Sequence, residues 1–252
     1  MNGTDREYWD DWQRSWDRQQ EWYLPDREER FRVMLDTVEA HAGPAPRVLD
    51  LACGTGSISE RLLARLPGAV SVGVDLDPAL LAIAEGHFAA EPRLTLVTAD
   101  LRDGAWAGRL PPGPYDAVVT ATALHWLPAA DLVRLYGDLA ALLSPGGVFL
   151  NADHTPEPAT PLLNAADEAF QQRRQQRERA AGALDWSRWW AAAAADPLLG
   201  DLVAERREIF GGHRDPEPRP AAWHTARLVD AGFREAGVVW RSVADSMVAA
   251  VR

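Results

Sequence analysis

Apolar and polar positions alternate along the middle of the chain with two different periods. Short runs rich in Val and Leu at 47–51 (RVLDL), 70–75 (VSVGVD), 94–98 (LTLVT), 116–120 (DAVVT) and 148–152 (VFLNA) read as buried strands. Between them, stretches with apolar residues three and four apart predict helices over 56–66, 78–89 and 128–143. Ser144-Pro145-Gly146-Gly147 punctuates the last connection, and a loop rich in Gly and Pro follows the third strand. A repeated strand–helix unit of this kind builds a parallel sheet.

The flanks differ. Over residues 4–42 the pattern predicts one or two helices, with Trp9, Trp12, Trp16 and Tyr23 on one stripe. Pro25 begins a new turn, and the acidic segment Asp26 to Glu29 opens the next helix. The aromatic stripe has two readings, which are compatible: it docks this helix on the sheet, or it covers a cationic ligand by cation–π attraction. Gly43-Pro44-Ala45-Pro46 forms a hinge-like linker. After Asp153 the β-like runs stop, and 160–212 reads as an inserted helical cap, including QQRRQQRER and the Ala run 191–195. The charge run 171–179 reads as a solvated helix face, with anionic-substrate binding as the alternative. Pro220 to Ala231 forms a last helix ended by Gly232, and Val238 to Arg241 with Ser246 to Val251 form a closing strand pair.

Candidate chemistry starts at VLDLACGTGS, residues 48–57, a strand, a Gly54-x-Gly56 turn and a helix start that present backbone N–H groups to a ligand. Ser59 stands where a third glycine would complete a dinucleotide fingerprint. Asp50, just ahead of the turn, would repel a pyrophosphate but suits an ammonium group. Asp75 ends the second strand about twenty residues on, where a carboxylate accepts from ribose hydroxyls. Asp100 ends the third, placed to accept from an adenine amino group while Leu101 packs on the ring. Three acids at one edge of a parallel sheet fall in the crevice where open α/β sheets bind ligands. Asp50 and Asp100 argue against a dehydrogenase.

On these residues the chain resembles the class I S-adenosylmethionine-dependent methyltransferases. VLDLACGTGS, GVDLDP, VTADL, YDAVVTATALHWL and LLSPGGVFL look like the family's successive motifs over residues 45–152, and AGFREAGVVWRSVADSMVAAVR looks like its last helix end and antiparallel strand pair. The ALHWL segment and the C-terminal end are similar to trans-aconitate methyltransferase-like small-molecule enzymes. The resemblance implies an α/β, Rossmann-like, seven-stranded and mostly parallel sheet with helices on both faces. It implies a single domain: an N-terminal helical lid over 1–44, a cofactor-binding core over 45–153, a helical cap over 154–218, and a last helix with closing strand pair over 219–252. It further implies S-adenosylmethionine as cofactor and S-adenosylhomocysteine as product, with Asp50, Ala52, Gly54, Gly56, Asp75, Leu76, Asp100, Leu101 and Thr120 as the binding residues.

The chain departs from a common family pattern at the end of strand four, where an Asn or Asp is replaced by Thr120, Ala121 and Thr122. That argues against amine clamping of the NPPY type and toward a small molecule. Methyl transfer from a sulfonium needs mainly alignment, and only a hydroxyl or carbon-acid acceptor calls for a base. His125, beside Trp126, is the first candidate base or else a structural histidine opening the next helix. His154 is the second, or else a loop histidine. Trp12, Tyr23, Trp126, Trp186 and Trp190 are substrate-pocket candidates, with packing of the cap, together with Trp189, as the alternative. His213 and His224 have no metal-ligand spacing, so no metal is assigned.

Composition narrows the partners. A formal charge of -11 over 252 residues argues against a broad phosphate-binding surface and hence against nucleic acid. The single cysteine, Cys53, excludes a disulfide framework and reads as a small residue in the turn. The N-terminus has no basic and apolar signal pattern, and no run approaches a membrane span. The expectation is a cytoplasmic monomer or homodimer without membrane partner, methylating O, N or C of a small-molecule substrate. The alternatives are a non-methyl outcome such as cyclisation of the cofactor chain, or a non-catalytic cofactor-binding module.

Overall fold

The computed structural model describes residues 3–24, 26–180, 182, 184–212 and 217–252, so the Pro25 turn lies outside the described residues. Two helices, α1 (Gly3–Tyr23) and α2 (Arg27–Ala42), precede an alternation of β1 (Arg47–Leu51), α3 (Ser57–Arg65), β2 (Val70–Asp75), α4 (Pro78–His87), β3 (Leu94–Thr98), β4 (Tyr115–Ala121), α5 (Ala129–Leu142) and β5 (Leu143–His154). Three helices follow, α6 (Pro161–Ala180), α7 (Trp186–Ala195) and α8 (Gly200–Phe210), then α9 (Ala221–Asp230), β6 (Glu235–Arg241) and β7 (Asp245–Val251). The strands form one seven-stranded sheet in the order β3-β2-β1-β4-β5-β7-β6. Its first five strands are parallel, and β7 pairs antiparallel with β5 and β6.

The main departure from the sequence reading concerns β5. The Ser-Pro-Gly-Gly segment is absorbed as a register shift, with Tyr115 opposite Leu143 and Ala117 opposite Val148. At its far end β5 runs two residues past Ala152, because β7 pairs Asp153 with Ser246 and His154 with Asp245. His154 is therefore a strand-end residue and not a loop histidine.

Side chains that alternate along the strands build two apolar cores. Leu49, Leu51, Val118 and Phe149 face α5 with Trp106, Leu132 and Tyr136, while Val48, Val119 and Leu150 face α2 and α3 with Met34, Val38 and Leu62. A third cluster joins the N-terminal helix to the helical insertion: Trp16 of α1, Leu80 and Ile83 of α4, Trp189 and Trp190 of α7, and Val203 of α8. The α1 stripe thus docks the helix. On α6 no residue is buried, in keeping with a solvated face, although Arg174 donates to the Trp22 carbonyl at 2.7 Å and pins it to the end of α1.

Close packing of α1 on α4 requires Gly86, where an added Cβ would lie 2.2 Å from the Trp9 indole. Asp50 holds the next layer. Its Oδ2 accepts from Ser59 N (3.1 Å) and Ser59 Oγ (2.6 Å), and Ser59 Oγ also meets Ser71 Oγ of β2 at 2.8 Å. Ser59, in place of a third glycine, is thus the partner of the strand-end acid. Asp50 Oδ1 is buried with no partner among the described residues, and burial pushes this carboxyl up to about 6.

Two outcomes follow from this packing. Gly86→Ala is expected to destabilise the protein by about 1–3 kcal/mol through overpacking. In a Trp9→Ala background the same change becomes neutral or stabilising, since alanine is the better helix former; thermal melts of the four proteins complete the cycle. For Asp50, a folded-state pKa above the unfolded one means that its contribution is full below about pH 4 and is lost as pH rises through about 6. Between pH 4 and 7, the stability difference between wild type and Asp50→Asn should move against wild type by about 2–3 kcal/mol, measured by denaturant unfolding.

Candidate active site

A cavity of about 760 Å³ opens at the carboxyl edge of the sheet, walled by the turns after β1 to β4, by His154 at the end of β5, and by α1, α2, α7 and α8. Asp75 organises one side. Its Oδ2 accepts from Gly54 N at 2.6 Å, and its Oδ1 from Leu76 N (2.7 Å) and Asp77 N (2.9 Å). Burial raises this carboxyl, and the three N–H groups oppose the rise. Oδ1 thereby has both lone pairs engaged, whereas Oδ2 keeps one for a further donor. Asp77 caps α4, accepting from Ala79 N and Leu80 N, and pairs with Arg206 of α8; burial pushes it up to about 6.

Two non-glycine residues on the wall, Ala52 after β1 and Thr122 after β4, have φ of 53°. Such left-handed backbone costs of order 1–3 kcal/mol and persists only where surrounding bonds dictate it. Here Cys53 N donates to Val74 O and Thr122 N to Ala152 O, carrying the sheet pairing past the strand ends. Cys53 is buried against Gly73, whose Cβ would come within 2.9 Å of its sulfur, and burial pushes its thiol well up.

Of the nine residues proposed from sequence to bind the cofactor, Ala52, Gly54, Asp75, Leu76, Asp100 and Leu101 line the cavity. Asp50, Gly56 and Thr120 do not. Asp50 turns to Ser59 behind the glycine turn. Gly56 is required by its φ of 79° and by Phe88, whose ring an added Cβ would meet at 2.8 Å. Thr120 lies wholly buried in the sheet, its hydroxyl without a partner among the described residues. Asp100 is on the wall, engaged by Arg102 through Nε (3.0 Å) and Nη2 (2.8 Å). Among the aromatic candidates Tyr23, Trp126 and Trp186 reach the cavity. Trp12 instead stands edge-on to Trp189, and Trp190 is buried beneath the Arg206 guanidinium, 4.0 Å from its ring centre. His213 lies outside the described residues. His224 bonds Tyr136 Oη through Nδ1 at 2.6 Å, and burial pushes it down to about 4, away from the cavity wall.

Both candidate bases line the cavity, and the structure supplies the partner that sequence spacing hides. His125 Nδ1 lies 2.6 Å from Asp153 Oδ1, His125 N donates to Asp153 Oδ2 at 3.0 Å, and His154 N donates to Asp153 Oδ1 at 2.8 Å. Burial would raise the Asp153 carboxyl, but the bond from His125 and the charges of the two histidines hold it below its ordinary value. An ionised carboxylate at Nδ1 fixes the proton there and leaves Nε2 as the basic atom of His125. Asp153 sits 28 positions from His125. Only the parallel β4–β5 register, with Ala121 opposite Ala152, brings them together.

Each arginine on the wall among the described residues is paired: Arg27 with Asp17 (2.9 Å), Arg102 with Asp100 and Arg206 with Asp77. The sequence reading missed Arg27 and Arg206, whose only outward sign is a position on amphipathic helices. Among the described residues no three His, Cys, Asp or Glu side chains come together to hold a metal, and no helix is long and apolar enough to cross a membrane.

A family model described as a methyltransferase domain matches residues 48–147. Trans-aconitate 2-methyltransferase of Methylobacterium radiotolerans is 30% identical over 220 residues, covering 83% of this chain and 73% of that protein. The enzyme of the same name from Methylobacterium nodulans is 33% identical over 187 residues, covering 71% and 68%. Among solved structures, an O-methyltransferase family protein from Burkholderia thailandensis has a TM-score of 0.56 at 21% identity, covering 87% of this chain and 55% of that one. Human N-acetylserotonin methyltransferase, solved in complex with SAM, has a TM-score of 0.53 at 17% identity, covering 88% and 51%. The chain spans about half the length of these two solved proteins. With its strand order, its glycine turn and its strand-end acids, the chain belongs to the class I S-adenosylmethionine-dependent methyltransferases, and S-adenosylmethionine is its cofactor.

Proposed function

We propose that this methyltransferase transfers the methyl group to a hydroxyl oxygen of a small, uncharged and partly apolar acceptor. The observation that carries this reading is His125 on the cavity wall with Asp153 buried behind it, since a base is needed only where the acceptor has a proton to lose.

The wall suits the cofactor. The free lone pair of Asp75 Oδ2 can accept from a ribose hydroxyl, Leu76 and Leu101 offer apolar faces to the adenine, and Asp100 lies at its edge. Gly54 in the glycine turn and Ser57 at the start of α3, with Arg27 and Gln20 of the N-terminal helices, face the space left for the amino acid end. S-adenosylmethionine supplies, when bound, a methyl group already activated on a sulfonium. The protein's own part is then to align the acceptor and to take its proton at His125 Nε2, with Asp153 keeping the ring in the required tautomer.

The acceptor class is read from charge. Three arginines and three aspartates pair off around the cavity, which favours an uncharged molecule over a multiply charged anion. Tyr23, Trp126 and Trp186 add aromatic surface. The relatives named for trans-aconitate carry a carboxylate acceptor in their name, and a carboxylate is already ionised and needs no base. We place residues 1–44 as the lid and 154–218 as the cap of one catalytic domain, acting in the cytoplasm, with no nucleic-acid partner.

Two outcomes check this reading. Asp75→Ala should weaken S-adenosylmethionine about 10–100-fold by calorimetry, as charge-assisted bonds of about 1.5–3 kcal/mol are lost; absence of binding to the wild type would sink the assignment. With acceptors screened by labelled methyl donor and mass spectrometry, His125→Ala and Asp153→Asn should each lower kcat about 10²–10⁴-fold, with cofactor affinity unchanged. Methylation confined to carboxylates, indifferent to both substitutions, would overturn the hydroxyl reading.

A further inference from the structure

His125 is not alone at the acceptor end of the cavity. His154, the last residue of β5, lines the same wall, with its ring centre 5.2 Å from that of His125 and the two planes at 60°. Its mounting repeats that of His125. Nδ1 lies 2.5 Å from Asp245 Oδ1, which the antiparallel register sets directly opposite on β7, and Asp245 Oδ2 accepts from Arg30 Nη2 at 2.8 Å. The main-chain N–H of His154 donates to Asp153 Oδ1, the oxygen that also meets His125 Nδ1. Two imidazoles thus stand side by side, each tied at Nδ1 to its own carboxylate, each with Nε2 as the remaining ring nitrogen.

Two equivalent bases at such a distance would be redundant, and their surroundings are not equivalent. His154 faces Asp245 from β7, Asp153 from its own strand, Arg30 from α2 and the His125 ring from the turn after β4. Burial alone would favour the neutral ring, but the bond and charge of Asp245 and the charge of Asp153 outweigh it and the opposing Arg30, holding His154 above the ordinary histidine value.

Resting on the hydroxyl-acceptor reading, we propose that His154 is a second catalytic residue with a different task. As the imidazolium, with Nδ1–H on Asp245, it donates its Nε2–H to the acceptor oxygen and stabilises the negative charge that develops there as His125 removes the proton. The acceptor O–H bond breaks, with its proton passing to His125 Nε2. The oxygen's electron pair becomes the new bond to the methyl carbon, and the donor sulfur keeps the pair of the bond that opens. His154 gives up no proton in the step. The pair therefore selects acceptors whose hydroxyl ionises readily, such as phenols and enols, over aliphatic alcohols.

The test uses 4-nitrophenol, whose phenolate absorbs visibly, bound to the full-length protein saturated with S-adenosylhomocysteine, so that no turnover is required. In wild type the bound dye should ionise with its pKa lowered by about one unit, a tenfold change in ionisation constant. The shift should persist in His125→Ala and disappear in His154→Phe. His154→Gln, which keeps a neutral donor, should retain only part of it; this variant decides the matter if His154→Phe does not fold. A dye pKa unchanged from wild type in either His154 variant overturns the role of His154 while the hydroxyl reading stands. Failure of wild type to bind or shift the dye removes the phenol-type acceptor and the inference with it, while cofactor binding, measured separately, continues to report on the family assignment.

Discussion

A carboxylate taken out of water must be met by donors, or burying it costs several kcal/mol. Two carboxylates at the sheet edge meet this demand in the same way. Asp75 receives the N–H groups of Gly54, Leu76 and Asp77, tying the turn after β1 to the turn after β2. Asp153 receives two donors from His125 and one from His154, tying the segment after β4 to the end of β5. The sheet side of the cavity wall hangs on these two knots. They hold main chain on both sides of the cavity in place before any ligand arrives. Preorganisation of this kind is what an alignment-driven reaction needs.

Charge around the cavity is balanced locally. Arg27, Arg102 and Arg206 each turn to an aspartate, two of them on the strand-end loops that also contact the cofactor space. Arg206 does more than neutralise Asp77. Its guanidinium lies over the Trp190 ring and within 5.0 Å of the Phe210 ring centre, so one side chain links the helical insertion to the loop after β2. The aromatic cluster of Trp16, Trp189 and Trp190 completes the seam between the N-terminal helix and α7. The wall opposite the sheet is therefore built by packing between two segments that are distant in sequence.

How much of this was legible in the chain follows from the range of the interactions. Strand runs and the glycine turn are local, and they appear in the structure within a few residues of their expected positions. Asp75, the last residue of β2, and Asp100, two residues past the end of β3, could be placed because parallel strands deliver their ends to a known edge. The same argument misplaced Asp50: one residue before the end of β1, it points to the helix side and meets Ser59, a contact set by side-chain alternation and not by distance from the glycines. Asp153 and Asp245 escaped notice for a different reason. Their roles depend on register between strands, and register is fixed by the whole sheet. Arg27 and Arg206 depend on how two helical segments pack, which no local pattern encodes.

Register and packing also divide the labour of the site. His125 is anchored through the parallel β4–β5 pairing and His154 through the antiparallel β5–β7 pairing, so both rings are mounted on strands paired on both sides or on side chains those strands carry. Tyr23, Trp186 and Arg206 come from helices whose positions depend on side-chain contacts alone. A displacement of about 1 Å is costly for groups that must hydrogen-bond at a fixed distance, and far less so for an apolar surface that only shapes a pocket. The strand ends can therefore keep one chemistry while substitutions on α1, α7 and α8 change the acceptor. That separation fits a chain that shares its sheet with methyltransferases of differently named substrates.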